Sequence, residues 1–201
     1  MHNSPIPKII LASTSRYRQE VLRKLNIAFV AMGSNVNETP KPGEKAKQLV
    51  ERLAREKAKA VFAGRDDFVI GSDQAAVAAD GTIFGKPLIA EKAREQLALS
   101  SGNQVIFYTG LALKRGKEIY STVETFIVNF RELSKEEIEN YIKIERPFNC
   151  AGSFKSEGLG ILLFDSLEGR DPNALIGMPL IALNELFSYF NINLLTDLVG
   201  K

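Results

Sequence analysis

One cysteine, Cys150, and one histidine, His2, are all that the 201 residues carry of either type. With a single cysteine no internal disulfide can close, and a reducing cytoplasm is the simplest expected home. With a single histidine, placed in a terminal stretch expected to fray, a zinc site built on His and Cys is excluded and a Ser-His or Cys-His nucleophile is disfavoured. Any metal must therefore be a hard, oxygen-bound ion such as Mg²⁺ or Mn²⁺. No stretch approaches the roughly 18 to 20 uninterrupted apolar residues a bilayer span needs, so no membrane role is expected. The opening MHNSPIPK lacks the basic-then-apolar pattern of a secretory signal. Charge of one sign is scarce too: the formal net charge is +2, with no block of about five or six like charges and no aromatic RNA-binding motif, so a nucleic-acid partner is not expected. Lysine, arginine and carboxylate are left to do any chemistry.

Hydrophobic residues make up 45% of the chain, enough for an ample core, and no internal repeat or low-complexity linker divides it. Residues 1–201 read as a single domain. Lys8 to Ala12 reads as a buried strand and Arg16 to Leu25 as a helix. Phe29 to Met32 is a weak strand, and Asn37-Glu38-Thr39-Pro40 a loop. Glu44 to Phe62 carries Leu49, Val50, Leu53, Ala54, Ala58 and Val61 at helical spacing. Phe68 to Gly71 is a short buried strand, which Ala75 to Ala79 continues into a hairpin through Asp80-Gly81. A helix over Ala90 to Leu99 follows, then strands over Val105 to Leu113 and Ile119 to Phe130. Ser134 and Glu137 form a capping box for a helix ending near Ile144. Gly160 to Phe164 reads as a last strand and Pro179 to Phe190 as a closing helix. Alternating strands and helices with embedded hairpins predict an α/β fold on a mixed central sheet.

Three places break the pattern. Lys57 lies four residues after Leu53 and four before Val61, on the apolar face of the long helix. It is either a stem lying along the stripe's edge with its ammonium in water, or an ammonium aimed into an anion-binding cleft. On the second reading a methionine at 57 keeps or raises stability while substrate affinity drops. Asp73 ends the apolar run of FVIGSDQ, where it is either an Asx-turn residue or a ligand group beyond a strand's carboxyl end. If Asp80-Gly81 is a two-residue turn, Ala75 lies opposite Lys86, and Asp73 and Lys86 emerge together on one face. SFKSEGLG, residues 153–160, reads as a loop that approaches something closely. In EGRDPNALIG, Asp171 as cap and Pro172 at the first helical position read as structural.

The ordered motifs LASTSRYRQEVL, NET, EKA, GSDQ, GKP, SGN, YTGLAL and AGSFKSEGLG resemble those of the Maf family of nucleotide pyrophosphatases along nearly the whole chain. The resemblance implies an α/β fold like that of the inosine-triphosphate pyrophosphatases, with two lobes around a cleft. It also implies divalent-metal-dependent hydrolysis of a nucleoside triphosphate to monophosphate and pyrophosphate, and family habit suggests a homodimer. Carried over position by position, Ser13, Arg18, Lys57 and Lys86 fall to phosphate binding. Asp73 falls to catalysis, and Glu38 with Asp73 to the metal.

The family's opening usually reads Ser-Pro-Arg-Arg. Here Arg16 stands where proline is common and Tyr17 replaces the first arginine. The resemblance assigns base specificity to Tyr17, Gln74 and Glu157. An aromatic, a glutamine and a glutamate at these places are similar to the 7-methyl-GTP branch; the thymidine and uridine triphosphate branch tends to have arginine, threonine and glutamine. The alternatives are a pyrophosphatase for dTTP or UTP, and a non-catalytic nucleotide-binding regulator of cell division.

Overall fold

The apolar runs become the centre of a seven-stranded mixed sheet in a computed structural model that describes residues 7–200; His2 lies outside the described residues. The strands are β1 (Ile9–Leu11), β2 (Val30–Ala31), β3 (Phe68–Val77), β4 (Ile83–Phe84), β5 (Gln104–Arg115), β6 (Glu118–Phe130) and β7 (Phe164–Glu168), in the order β2-β1-β3-β5-β6-β7 with β4 also on β3. β1 runs parallel to β2 and β3, and the other pairings are antiparallel. The helices are α1 (Arg16–Arg23), α2 (Ala46–Ala60), α3 (Ala90–Ser100), α4 (Lys135–Glu145), α5 (Pro172–Ile176), α6 (Leu180–Ser188) and α7 (Leu194–Asp197). No helix among the described residues is long and apolar enough to cross a membrane.

Both faces of the sheet's centre are covered, which explains why its strands read as unbroken apolar runs rather than alternating ones. Ile9, Leu11, Phe68 and Ile70 pack with Leu183 and Phe187 of α6 on one face. Ile10, Val69 and Ala112 meet Ala54 and Ala58 of α2 on the other. Further along the same long strands, Ala76, Phe107 and Phe126 build a separate core with Leu97 of α3, Ile138 of α4 and Phe154. The long strands thus carry a core at each end.

α2 lies unusually close to the sheet because two glycines let it. A Cβ on Gly71 would stand 2.1 Å from the Ala54 carbonyl oxygen, and one on Gly110 would stand 2.2 Å from that of Val50. Only a residue without a side chain fits at either point.

The strands depart from expectation in three places. β3 runs unbroken through Phe68–Val77, so Asp73 lies in mid-strand rather than at a strand end. The hairpin after it has a three-residue loop: Ala78 N–H donates to Thr82 O (2.9 Å), and Val77 faces Ile83. Gly81, at φ +88°, supplies the left-handed residue such a loop needs. The pairing is shifted by one from the two-residue count, and the expected Ala75–Lys86 pairing does not form. Finally, residues 159–163 of the expected Gly160 to Phe164 strand form a 3₁₀ turn, and the strand is Phe164–Glu168. Turn bonds such as Gly160 N–H to Lys155 O (3.1 Å) take the backbone there, leaving Ile161 and Leu162 exposed.

β5 covers one edge of β3 throughout; on the other edge β1 pairs with residues 68–70 and β4 with residues 76 and 77. Between them the β3 edge from Gly71 to Ala75 has no strand partner. A cleft opens at this gap, beyond the carboxyl end of β1, where ligands gather in parallel α/β sheets.

Candidate active site

The cleft has a volume of about 1260 Å³. At its floor, Lys57 Nζ lies 2.6 Å from Asp73 Oδ1 and 2.6 Å from Glu38 Oε1. Close packing of α2 on Gly71 brings the lysine here, since Lys57 is on the helical face that meets β3. Its side chain is only 8% exposed, so the stripe-edge reading gives way to a buried ammonium shared by two carboxylates. Asp73 alternates to the face opposite Ser72 and Gln74. Burial works against charge on Glu38. The Lys57 hydrogen bond and charge, with Lys86 and Arg18 behind them, outweigh it and hold that carboxyl below its usual range.

Arg18 reaches the same space from the first turns of α1. Its Nε donates to Gly177 O (3.0 Å) and its Nη1 to Ser13 Oγ (3.5 Å). Burial pulls the guanidinium below its ordinary value, while Asp73 and Glu38 pull the other way; it remains charged. Ser72 Oγ also donates to Gly177 O (2.8 Å). The expected structural role of EGRDPNALIG is what the structure has: Asp171 caps α5, Pro172 opens it, and the segment ends in the carbonyl that fixes Arg18. Lys86 lines the cleft beyond the end of β4, close enough to Glu38 to act on its charge. Ser13, Arg18, Glu38, Lys57, Asp73 and Lys86 are therefore brought together.

The three positions assigned to base choice line the same cleft. Arg16 lies over the Tyr17 ring, 5.1 Å from its centroid. Burial, reinforced by the neighbouring Cys150 thiol, raises the Tyr17 phenol, and burial raises that thiol. Glu157 is exposed on the turn before the 3₁₀ segment. Gln74 is committed elsewhere: its Nε2 donates to Ala174 O (2.8 Å), Leu175 O (3.1 Å) and Thr109 Oγ1 (3.0 Å). It ties β3 to α5, and only its carbonyl oxygen is left for a ligand.

Reasoning from sequence gives no role to Arg146, Cys150 or Thr109. Arg146 lines the cleft wall in a left-handed conformation (φ 47°) at the end of α4. Thr109 is fully buried and donates to Ala174 O (2.8 Å). No local pattern marks Thr109, whose partners Gln74 and Ala174 lie far along the chain. Across the cleft Arg16, Arg18, Lys57, Lys86, Arg146 and Lys155 face Glu38, Asp73 and Glu157. Six cations against three carboxylates make a surface suited to a polyanion that also needs an acidic partner.

Among the described residues no group of three or more His, Cys, Asp or Glu is assembled for a metal. The oxygen donors of Glu38 and Asp73 fit the way Mg²⁺ is commonly bound, through one or two carboxylates completed by substrate phosphates and water.

A family model described as Maf-like protein matches residues 8–190 of the chain. Among solved structures, a HAM1 protein from Coxiella burnetii overlaps with 16% identity and a TM-score of 0.44, covering 62% of this chain and 73% of that one. The Ham1 protein of Staphylococcus aureus gives 16% and 0.43 over 61% and 71%. A nucleoside-triphosphatase, or dITP/XTP pyrophosphatase, from Mycobacterium abscessus gives 15% and 0.41 over 63% and 75%. Overlaps this loose carry no inference about chemistry.

Proposed function

The chain belongs to the Maf-like protein family, and on that premise we propose that it is a nucleoside triphosphate pyrophosphatase whose preferred substrate is 7-methyl-GTP. The observation that carries the triphosphate part of this reading is the Lys57 ammonium held between Asp73 and Glu38 on the floor of a cation-lined cleft. A triphosphate laid along that floor meets Arg18, Lys57 and Lys86, which neutralise its charge as the bond between the α- and β-phosphates breaks. Asp73 has Oδ1 paired with Lys57, leaving Oδ2 to accept the proton of the attacking water. Water adds to phosphorus, pyrophosphate leaves, and the monophosphate remains. Glu38 and Asp73 would hold a divalent cation, Mg²⁺ or Mn²⁺, whose contribution when bound is to polarise the phosphoryl group.

Base choice falls to Tyr17 and Glu157 in the same cleft. Methylation at the seventh position of guanine makes the ring cationic, and a cation is attracted to an aromatic face. The Arg16 guanidinium lies over one face of the Tyr17 ring, so a cationic base stacks on the opposite face or displaces that guanidinium. Glu157 offers a carboxylate to the two adjacent N–H donors of the guanine edge. Uracil and thymine present one ring N–H and no cationic ring. Gln74 is held by Ala174 and Leu175 of α5 through its amide nitrogen and offers the base only its carbonyl oxygen.

The test is a panel of nucleoside triphosphates with Mg²⁺ or Mn²⁺. Turnover of 7-methyl-GTP well above that of UTP or dTTP is expected, and Tyr17→Ala and Glu157→Gln should each lower it about tenfold or more, with pyrimidine activity staying low or rising. Equal turnover of UTP and 7-methyl-GTP by the unmodified enzyme would overturn the base assignment.

A further inference from the structure

Glu157 sits on a turn with no regular secondary structure of its own, yet both ends of that turn are tied to one carboxylate on α4. At the near end, Lys155 Nζ donates to Glu145 Oε1 (2.9 Å) and to the Glu145 carbonyl oxygen (2.7 Å). At the far end, Leu159 N–H donates to Glu145 Oε2 (2.9 Å). Tyr141, one helical turn earlier, accepts the Lys155 backbone N–H on its hydroxyl (3.0 Å). The Glu145 and Lys155 side chains are 15% and 17% exposed. The turn packs onto this carboxylate so closely that a Cβ on Gly158 would stand 2.8 Å from Glu145 Oε2.

We propose that Glu145 is a positioning residue for base selection: its carboxylate spans Lys155 and Leu159 and so fixes the turn that carries Glu157 into the cleft. This rests on the reading of Glu157 as the group that meets the base. Glu145 is not among the residues lining the cleft, so it acts through the turn rather than by touching the nucleotide. A carboxylate meeting two N–H donors has to be held closely in place, and a misplacement of about 1 Å is costly. Glu145 also engages the Lys155 ammonium. With that carboxylate removed, Lys155 keeps the Glu145 carbonyl oxygen but loses its ion pair, and a contact with Glu157, two residues on, would draw Glu157 away from the base.

The experiment compares kcat/KM for 7-methyl-GTP and for UTP in the full chain carrying Glu145→Gln, Glu157→Gln, or both. Glu145→Gln should lower the preference for 7-methyl-GTP about tenfold, mostly through KM, because one well-placed polar contact is lost. The double variant should be no worse than Glu157→Gln alone, since the two changes remove one interaction. Tyr141→Phe, which keeps the ring and deletes only the hydroxyl, should shift the preference the same way by less, and serves if Glu145→Gln does not fold. An equal fall for both substrates, or additive losses in the double variant, would overturn the proposal and leave Glu145 a structural residue. If Glu157→Gln itself leaves the preference unchanged, the reading of Glu157 fails and the positioning role falls with it.

Discussion

Replacing Lys57 with methionine should cost the protein stability as well as substrate. The lysine stem lies on the apolar stripe of α2, so methionine fits the space and regains part of the lost packing. The charge is another matter. Glu38 is 61% exposed on its side chain, so its contact is worth no more than a surface pair, about 0 to 1 kcal/mol. Asp73 is 13% exposed and 2.6 Å from the ammonium; removing one partner of such a pair costs about 3 to 5 kcal/mol, because a buried charge is left unmatched. Better apolar contact offsets about 1 kcal/mol of this. A net loss of about 2 to 5 kcal/mol remains, or roughly 4 to 20 °C in Tm for a chain of this size. Lys57→Met with Asp73→Asn should recover most of it, since no unpaired charge is then buried. Thermal denaturation and equilibrium binding of a non-hydrolysable triphosphate analogue read the two effects separately. A single variant as stable as the parent, with unchanged affinity, would refute the reasoning.

Asp73→Asn keeps an oxygen for Lys57 but removes the base; turnover should fall about 10² to 10⁴ with the fold intact by circular dichroism, and near-normal turnover sinks the assignment. Gly71→Ala would drive a Cβ into the Ala54 carbonyl, so α2 must lift off β3. A loss of about 1 to 3 kcal/mol in urea denaturation and weaker triphosphate binding should appear together. Glu137 is held at about 2, against 4.5, by the Arg131 guanidinium and by the backbone and hydroxyl of Ser134. Its folded-state value is depressed, so the capping contact contributes fully above about 4.5 and is lost as pH falls from about 4.5 towards about 2. Glu137→Gln should flatten that part of a Tm-against-pH profile; an unchanged profile contradicts the role.

The central strands are legible because burial on both faces leaves apolar runs such as Ile9–Leu11 and Phe68–Ile70 with little else they could be. The last strand is not. Ile161 and Leu162 look like strand residues, but an apolar run carries no mark of whether its backbone bonds go to a neighbour or to its own turn. The hairpin register turned on a single left-handed residue, Gly81, in a loop one residue longer than expected, which shifts the β3–β4 pairing by one. Lys57 and Asp73 stand out in the sequence because each is a charge on an apolar surface. What their partners do is not legible. The sequence stripe suggests that methionine at 57 is harmless, whereas Asp73 facing the ammonium reverses that sign. Arg18 is fixed by a carbonyl 159 residues away, and Gln74 looks free to meet a base until α5 is seen to occupy its amide nitrogen. Such contacts arise from tertiary approach and leave no local trace.

Whether this cleft cleaves a nucleoside triphosphate between its α- and β-phosphates is read most directly from the product balance with 7-methyl-GTP and Mg²⁺ or Mn²⁺. One pyrophosphate should be released for each monophosphate formed, at a rate lowered about 10² to 10⁴ by Asp73→Asn. Release of orthophosphate with accumulating diphosphate, or tight binding of the triphosphate without hydrolysis under either metal, would contradict it.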